Sequence, residues 1–166
     1  MIIETIRTGG QTGTDRGATD AARAHNVKTT GWVPRGGWAE DFLAAPGLLK
    51  DYPKFQETES KGTRERTIKN IQDADISVVF DVWDAPSPGV RVAEHYLDEN
   101  PGYIRTYVDT LDERGIIDLC DDLYAVGKNR LDVNIIGPRE SECPGAYKET
   151  YDFISTLLDY LSDDND

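Results

Sequence analysis

The chain alternates short apolar runs with amphipathic stretches along most of its length. Ile2, Ile3 and Ile6 mark residues 2–7 as a strand, which runs straight into Gly9-Gly10-Gln11-Thr12-Gly13. Behind the glycines, residues 14–25 read as a helix. Its face of Ala18, Ala21 and Ala22 is small enough to lie close on a sheet. Residues 27–32 read as a short second strand, and residues 34–53, rich in Gly and Pro, as a long loop. A helix follows over 64–73. The nearly continuous β-branched run 76–82 has the pattern of a parallel strand covered on both faces. Pro88 suits the first turn of the next helix, with Ala93, Tyr96 and Leu97 on its buried side. Residues 103–108 suggest a strand, 111–126 an acidic helix, and 131–136 a last strand closed by Gly137-Pro138. Tyr147, Tyr151, Ile154, Leu158 and Leu161 recur at steps of four and three, the signature of a final helix.

Strands that alternate with helices pair in parallel and are covered on both sides. The expected class is α/β, a Rossmann-like three-layer sandwich with a mainly parallel sheet. Ligands of such sheets bind beyond the carboxyl ends of the strands. The informative loops are therefore 9–14, 32–41, 81–89 and 137–142.

At 166 residues the chain is expected to form one domain over 1–162 with an acidic frayed tail over 163–166. No apolar run approaches the roughly 18 residues of a membrane span. The N-terminus has no basic flank ahead of a long apolar stretch, so a cytoplasmic protein is expected. Cys120 and Cys143 lie far apart with no CxxC, which reads as two reduced thiols, and no structural metal is expected. Thirty-one acids against 18 bases give a net charge of −13. Such a surface repels phosphate backbones and disfavours nucleic acid as a partner. An anionic small molecule would need a pocket that gathers positive groups against this background.

Strand, Gly9-Gly10-Gln11-Thr12-Gly13, then helix is an arrangement that binds anions. Glycine admits the ligand to the backbone, and the helix-start N–H groups and dipole attract it. Thr12 and Thr14 add hydroxyl donors, or else cap the helix. Asp15, in the first turn, either complements the dipole or contacts a ligand hydroxyl, amine or metal. Arg16, Arg35, Arg66, Arg91 and Arg139 follow or flank the candidate loops, and a guanidinium fork suits phosphate or molybdate-like oxygens. Trp32 and Trp38 offer rings for a planar heterocycle. A side chain at Gly10 or Gly13 would block the backbone's approach to a ligand. His25 and His95 both fall on helices, and no Ser-His-Asp spacing is evident.

These residues resemble the putative molybdenum carrier family, part of the Rossmann-like SLOG superfamily that also holds Lonely-Guy-type nucleotide hydrolases. The resemblance rests on Gly9-Gly10-Gln11-Thr12-Gly13-Thr14-Asp15-Arg16, Gly31-Trp32-Val33-Pro34-Arg35-Gly36, Ala39-Glu40-Asp41, Arg66-Thr67 with Asn70, and Asn134-Ile135-Ile136-Gly137-Pro138-Arg139. It implies that residues 9–15 are the main ligand cradle and that Gly36, Glu40, Arg66, Thr67 and Arg139 belong to the site or buttress it. It also implies a homo-oligomer. Where the family carries a Gly-Gly-Thr turn, this chain reads Ser87-Pro88-Gly89-Val90-Arg91. Proline removes a donor there and Arg91 adds charge.

The expected function is a binding protein that holds molybdenum cofactor, or a related phosphorylated heterocycle, without transforming it. Two rivals stand beside it. One is a nucleotide phosphoribohydrolase that uses Glu94 or Glu40. The other is a sensor or sponge for a nucleotide signal.

Overall fold

The computed structural model describes residues 1–163. Five strands form a parallel sheet: β1 (Ile2–Arg7), β2 (Lys28–Thr30), β5 (Ile76–Phe80), β6 (Arg105–Val108) and β7 (Arg130–Ile136), in the order β2-β1-β7-β5-β6. Two short strands, β3 (Trp32–Val33) and β4 (Gln56–Glu57), pair in parallel as a second sheet. The helices are α1 (Thr14–Ala24), α2 (Thr63–Asp73), α3 (Pro88–Glu99), α4 (Glu113–Ala125) and α5 (Ala146–Asp163).

Successive strand residues face opposite sides of a sheet, and β5 supplies both cores. Val78 enters the layer that holds Ala18, Ala22, Leu123 and Ile154 of α1, α4 and α5. Val79 enters the layer of Ile71, Ala93 and Leu97 from α2 and α3. All five β5 residues are buried, as the β-branched run implies. Helix α1 lies so close to α5 that a Cβ on Gly17 would sit 2.4 Å from the Tyr147 carbonyl oxygen. The small face of α1 makes that approach possible.

The chain leaves β1 in one direction, through α1 to β2, and leaves β5 in the other, through α3 to β6. Right-handed crossovers running opposite ways put α1 and α3 on opposite faces. The last strand, β7, fills the gap between β1 and β5. A crevice opens at the carboxyl ends of these strands, where the connections diverge.

The structure shortens or divides several expected elements. The expected strand 27–32 is cut at Gly31, because the Asn70 side chain of α2 takes over its hydrogen bonds. Asn70 Oδ1 accepts from Trp32 N at 2.8 Å, and Nδ2 donates to the Thr8 and Trp32 carbonyls at 3.2 and 3.0 Å. The chain then turns away from β1 to pair with β4. The acidic helix starts at Glu113, because Asp112 caps it by accepting from Gly115 N at 3.2 Å. The long loop contains a 3₁₀ turn, Gly47–Lys50, and is fastened by a bridge between Ala39 and Phe42. Of the expected frayed tail 163–166, Asp163 is the last helical residue of α5, and 164–166 lie outside the described residues. Among the described residues no helix is long and apolar enough to cross a membrane.

Candidate functional site

A cleft of about 180 Å³ lies in the crevice. Gly9, Gln11 and Asp15 bound it from the β1–α1 connection, and Arg66, Thr67 and Asn70 from α2. Ser87, Pro88 and Gly89 enter from the start of α3, and Gly137, Arg139 and Glu142 from the β7–α5 connection. Its volume is below the roughly 300–1,000 Å³ of pockets that enclose drug-sized ligands. It suits a compact group or one end of a larger molecule.

Arg66 and Arg139 bring positive charge to the cleft and Asp15 and Glu142 negative charge, and the more deeply placed guanidinium is that of Arg66. Its side chain is only 12% exposed and rests against the Gly9 backbone, so that a Cβ on Gly9 would fall 1.5 Å from Arg66 Nη1. Glycine at position 9 is what makes room for the guanidinium. Arg66 Nη1 lies 3.4 Å from Asp15 Oδ2, long for a charge-assisted hydrogen bond. Its Nε is buried without a hydrogen-bond partner among the described residues. Burial works against its charge, Asp15 opposes that effect, and Arg139 adds to it by repulsion. Arg139 is less deeply placed, with its side chain 36% exposed, and its Nε makes no hydrogen bond but is ion-paired with Glu142 and Glu40 carboxylate oxygens at 3.6 and 3.7 Å. Two guanidiniums thus act on one another at the cleft, and Arg66 retains an unused donor.

Asp15 is buried on the cleft floor. Desolvation pushes its carboxyl above the ordinary carboxylate range, against the pull of Arg66 and of the Gln11 N–H, which donates to Oδ2 at 3.2 Å. Glu142 is the polar hub on the opposite side. Its Oε1 accepts from Ser87 Oγ at 3.0 Å and from Arg139 N at 3.1 Å, tying the start of α3 to the β7–α5 connection.

The glycine-rich stretch divides in two. Gly9, Gln11 and Asp15 face the cleft, whereas Gly10, Thr12, Gly13 and Thr14 are not among its lining residues. Most of the loop's donors serve the protein itself. Gly10 N donates to Thr8 Oγ1, Thr12 N to Gln11 Oε1, and both Thr14 N and Oγ1 to the Pro138 carbonyl. The glycines at 10 and 13 answer to packing. Gly10 (φ 70°) faces Leu48 and Val33, while Gly13 (φ 72°) sits 2.6–2.7 Å, by the same Cβ measure, from the backbone of residues 138–140.

Glu40 straps three segments together. It accepts from the Thr12 hydroxyl and from Ser141 N and Oγ, while Glu40 N donates to Gln11 Oε1 at 2.9 Å. Burial opposes its charge, but the Ser141 and Thr12 bonds and Arg139 outweigh it and hold the carboxyl below its usual value. The long loop is pinned again by Arg16 on Asp41 (2.8 Å) and by Tyr52 on Asp20 (2.7 Å).

Other expected residues lie elsewhere. Arg35 and Arg91 are exposed and do not line the cleft. Gly36 N donates to Glu57 beside the second sheet. The Trp32 ring carries Lys69 over its face and donates to Asp73, and neither Trp32 nor Trp38 lines the cleft. Glu94 is also outside the lining, and its charge acts on Arg105 and Tyr107 toward β6. Sequence reasoning missed Glu142, although it lies three residues after Arg139 in a loop marked as informative. It also missed the paired use of Ser87 as helix cap and Glu142 partner. Among the described residues no group of three or more His, Cys, Asp or Glu side chains is placed to hold a metal ion.

The family model described as circularly permutated YpsA SLOG matches residues 6–158. A crystal structure of a putative molybdenum carrier protein from Syntrophus aciditrophicus SB is similar, with a TM-score of 0.76 and 29% sequence identity, over 94% of this chain and 95% of that one. No curated protein matches the chain.

Proposed function

The chain belongs to the circularly permutated YpsA SLOG family, and from that premise we propose that it is a carrier that holds a tetrahedral oxyanion in the cleft between Arg66 and Arg139. The observation that carries this reading is the buried Arg66 guanidinium on the cleft, whose Nε has no hydrogen-bond partner among the described residues, with Arg139 acting on it from the β7–α5 connection. A buried polar group left without a partner costs on the order of 1–3 kcal/mol, and an oxyanion that accepts from the Arg66 guanidinium would remove that cost. The start of α3 at Gly89 stands on the same cleft and offers a further donor, whereas the Thr67 hydroxyl on that lining donates to the Thr63 carbonyl.

The similar solved structure is named as a molybdenum carrier. Carried to this chain, the cargo is molybdate or the phosphate end of molybdenum cofactor. On this reading the cargo is gripped through its oxygens by the guanidiniums of the cleft. The volume of the cleft suits that head group, and a pterin would extend beyond it. The anion would sit on Arg66, Gly9 and Arg139, with Gly10, Thr12, Gly13 and Thr14 holding the loop in shape behind it. Binding without turnover is the favoured reading, because of the two carboxylates of the hydrolase alternative Glu94 lies outside the cleft lining and Glu40 is engaged by Thr12 and Ser141.

Native mass spectrometry of freshly purified protein tests this, together with calorimetric titration of sodium molybdate and AMP. The expected result is molybdate or a phosphorylated molecule bound to the wild type and lost from Arg66→Met. AMP bound with release of free base would transfer the site to the hydrolase reading. Folded wild type that binds none of these would overturn the proposal.

A further inference from the structure

Asp15 poses a problem for any anion held by Arg66, and its resolution deepens the reading above, on which it rests. The Asp15 side chain is 8% exposed, and its Oδ2 lies 3.4 Å from Arg66 Nη1. An oxyanion on Arg66 therefore comes to lie beside a carboxylate that leans on the same guanidinium. Like charges that share a buried site cannot both ionise cheaply, and one of them takes a proton. Sulfate and molybdate at neutral pH bring no proton of their own, so the proton has to reside on the protein.

We infer that Asp15 holds the ligand in its acid form, donating its O–H to an oxyanion oxygen, so that the site takes up one proton with each tetrahedral dianion. Asp15 then changes from a counterion of Arg66 into a hydrogen-bond donor, and Arg66 is released to face the ligand. The proton comes from solvent and stays on the Asp15 carboxyl; no other bond is made or broken.

The surroundings support this exchange. From α2, Arg66 faces Asp15. From its own helix Arg16 acts on it, but that guanidinium is engaged by Asp41 at 2.8 Å and by the Gly10 carbonyl at 3.0 Å. From the β1–α1 connection only the neutral Gln11 N–H reaches it. From the β7–α5 connection Arg139 acts on Arg66. Glu142, the other carboxylate on the cleft, lies 3.6 Å from Arg139 Nε and accepts from Ser87 Oγ and Arg139 N, so the Asp15 carboxyl is the place for the proton. Burial already favours the neutral acid. A dianion at Arg66 pushes the same way.

Proton linkage gives the sign. Affinity is highest where Asp15 is already protonated in the free protein. It falls as pH rises, by about tenfold per unit for one linked proton, and levels off once the bound form also ionises. The test is calorimetric titration of sodium sulfate into the wild type over a weakly acidic to weakly alkaline series, in buffers of different ionisation enthalpy. Sodium molybdate is titrated in parallel at neutral pH. The expected result is uptake of about one proton per anion, with affinity that weakens as pH rises. Asp15→Asn should bind with neither proton uptake nor pH dependence. If the asparagine variant does not fold, the wild-type buffer series decides alone. Sulfate or molybdate bound without proton exchange would overturn this inference and leave the carrier reading standing. Failure of both anions to bind wild type at any pH would overturn the carrier reading and this inference with it.

Discussion

Gly9→Ala should abolish tight anion binding while leaving the protein folded. The added methyl carbon would fall 1.5 Å from Arg66 Nη1, 2.6 Å from Cζ and 3.0 Å from Asp15 Oδ2. To reach an ordinary contact of 3.4 Å the nitrogen must retreat by about 2 Å, whereas hydrogen bonds form only over about 2.7–3.2 Å. The guanidinium therefore loses its hold on a ligand at this position. A hydrogen bond to a charged group contributes about 1.5–3 kcal/mol. Loss of two at the lower value raises Kd on the order of a hundredfold. Gly9 is not among the positive-φ glycines, so alanine brings no backbone strain, and the atoms it meets belong to side chains. The cost in stability is that of modest overpacking, about 1–3 kcal/mol, with a Tm lowered by about 2–4 °C per kcal/mol for a chain of this size. Circular dichroism melts report the fold, and calorimetry with sodium molybdate reports binding. Gly102→Ala, with open space around it, is the matched control and should do nothing. A folded Gly9→Ala protein that binds molybdate within about twofold of wild type would refute the placement of the anion at Arg66.

Gly13→Ala should destabilise the fold itself, because its Cβ meets the backbone of residues 138–140 and the residue has φ 72°. With φ 72° and ψ −127° Gly13 lies in a region that L side chains avoid, at a cost of about 1–3 kcal/mol, so urea unfolding that shows no loss would contradict the packing role. Glu94→Gln should leave molybdate affinity unchanged, since that side chain lies outside the cleft lining; a marked loss in titration would return Glu94 to the site. Burial, with Asp20 as hydrogen-bond acceptor, pushes the Tyr52 phenol from 10.0 up to about 12. Between those values the unfolded chain releases a proton that the folded protein keeps, so stability falls as pH rises through that window. Thermal melts at the two ends of the window should show a smaller drop for Tyr52→Phe than for wild type, and equal drops would contradict the burial assigned to this tyrosine.

The main layers were legible because their signals are local. The isoleucines of β1, the β-branched run of β5 and the four-and-three spacing of α5 each lie within one segment. Gly31 ends β2 for a reason that sequence pattern does not carry: the partner is the Asn70 amide, thirty-eight to sixty-two residues from the groups it bonds. Two-residue strands such as β3 and β4 leave no periodicity to read. In the site, Arg66, Arg139, Asp15 and the glycine loop were visible as residue types at strand ends. The division of labour within that loop was not. Donors at Gly10, Thr12 and Thr14 look free in sequence, and their occupancy depends on groups such as Pro138, which comes from the other end of the chain. Exposure, not identity, separates Arg35 and Arg91 from Arg66, and a guanidinium gives no sign of its own burial in a string of letters.

The central claim is that an oxyanion sits between Arg66 and Arg139, and anomalous scattering tests it directly. Crystals of the wild type soaked in sodium molybdate, with diffraction measured above the molybdenum absorption edge, should give an anomalous difference peak in the cleft between the Arg66 and Arg139 guanidiniums, set back from their nitrogens by the length of a molybdenum–oxygen bond. The peak should be absent from Arg66→Met crystals soaked in the same way. A peak that instead lies on the amides of Gly10, Thr12 and Thr14, or one that persists unchanged without Arg66, would contradict the account.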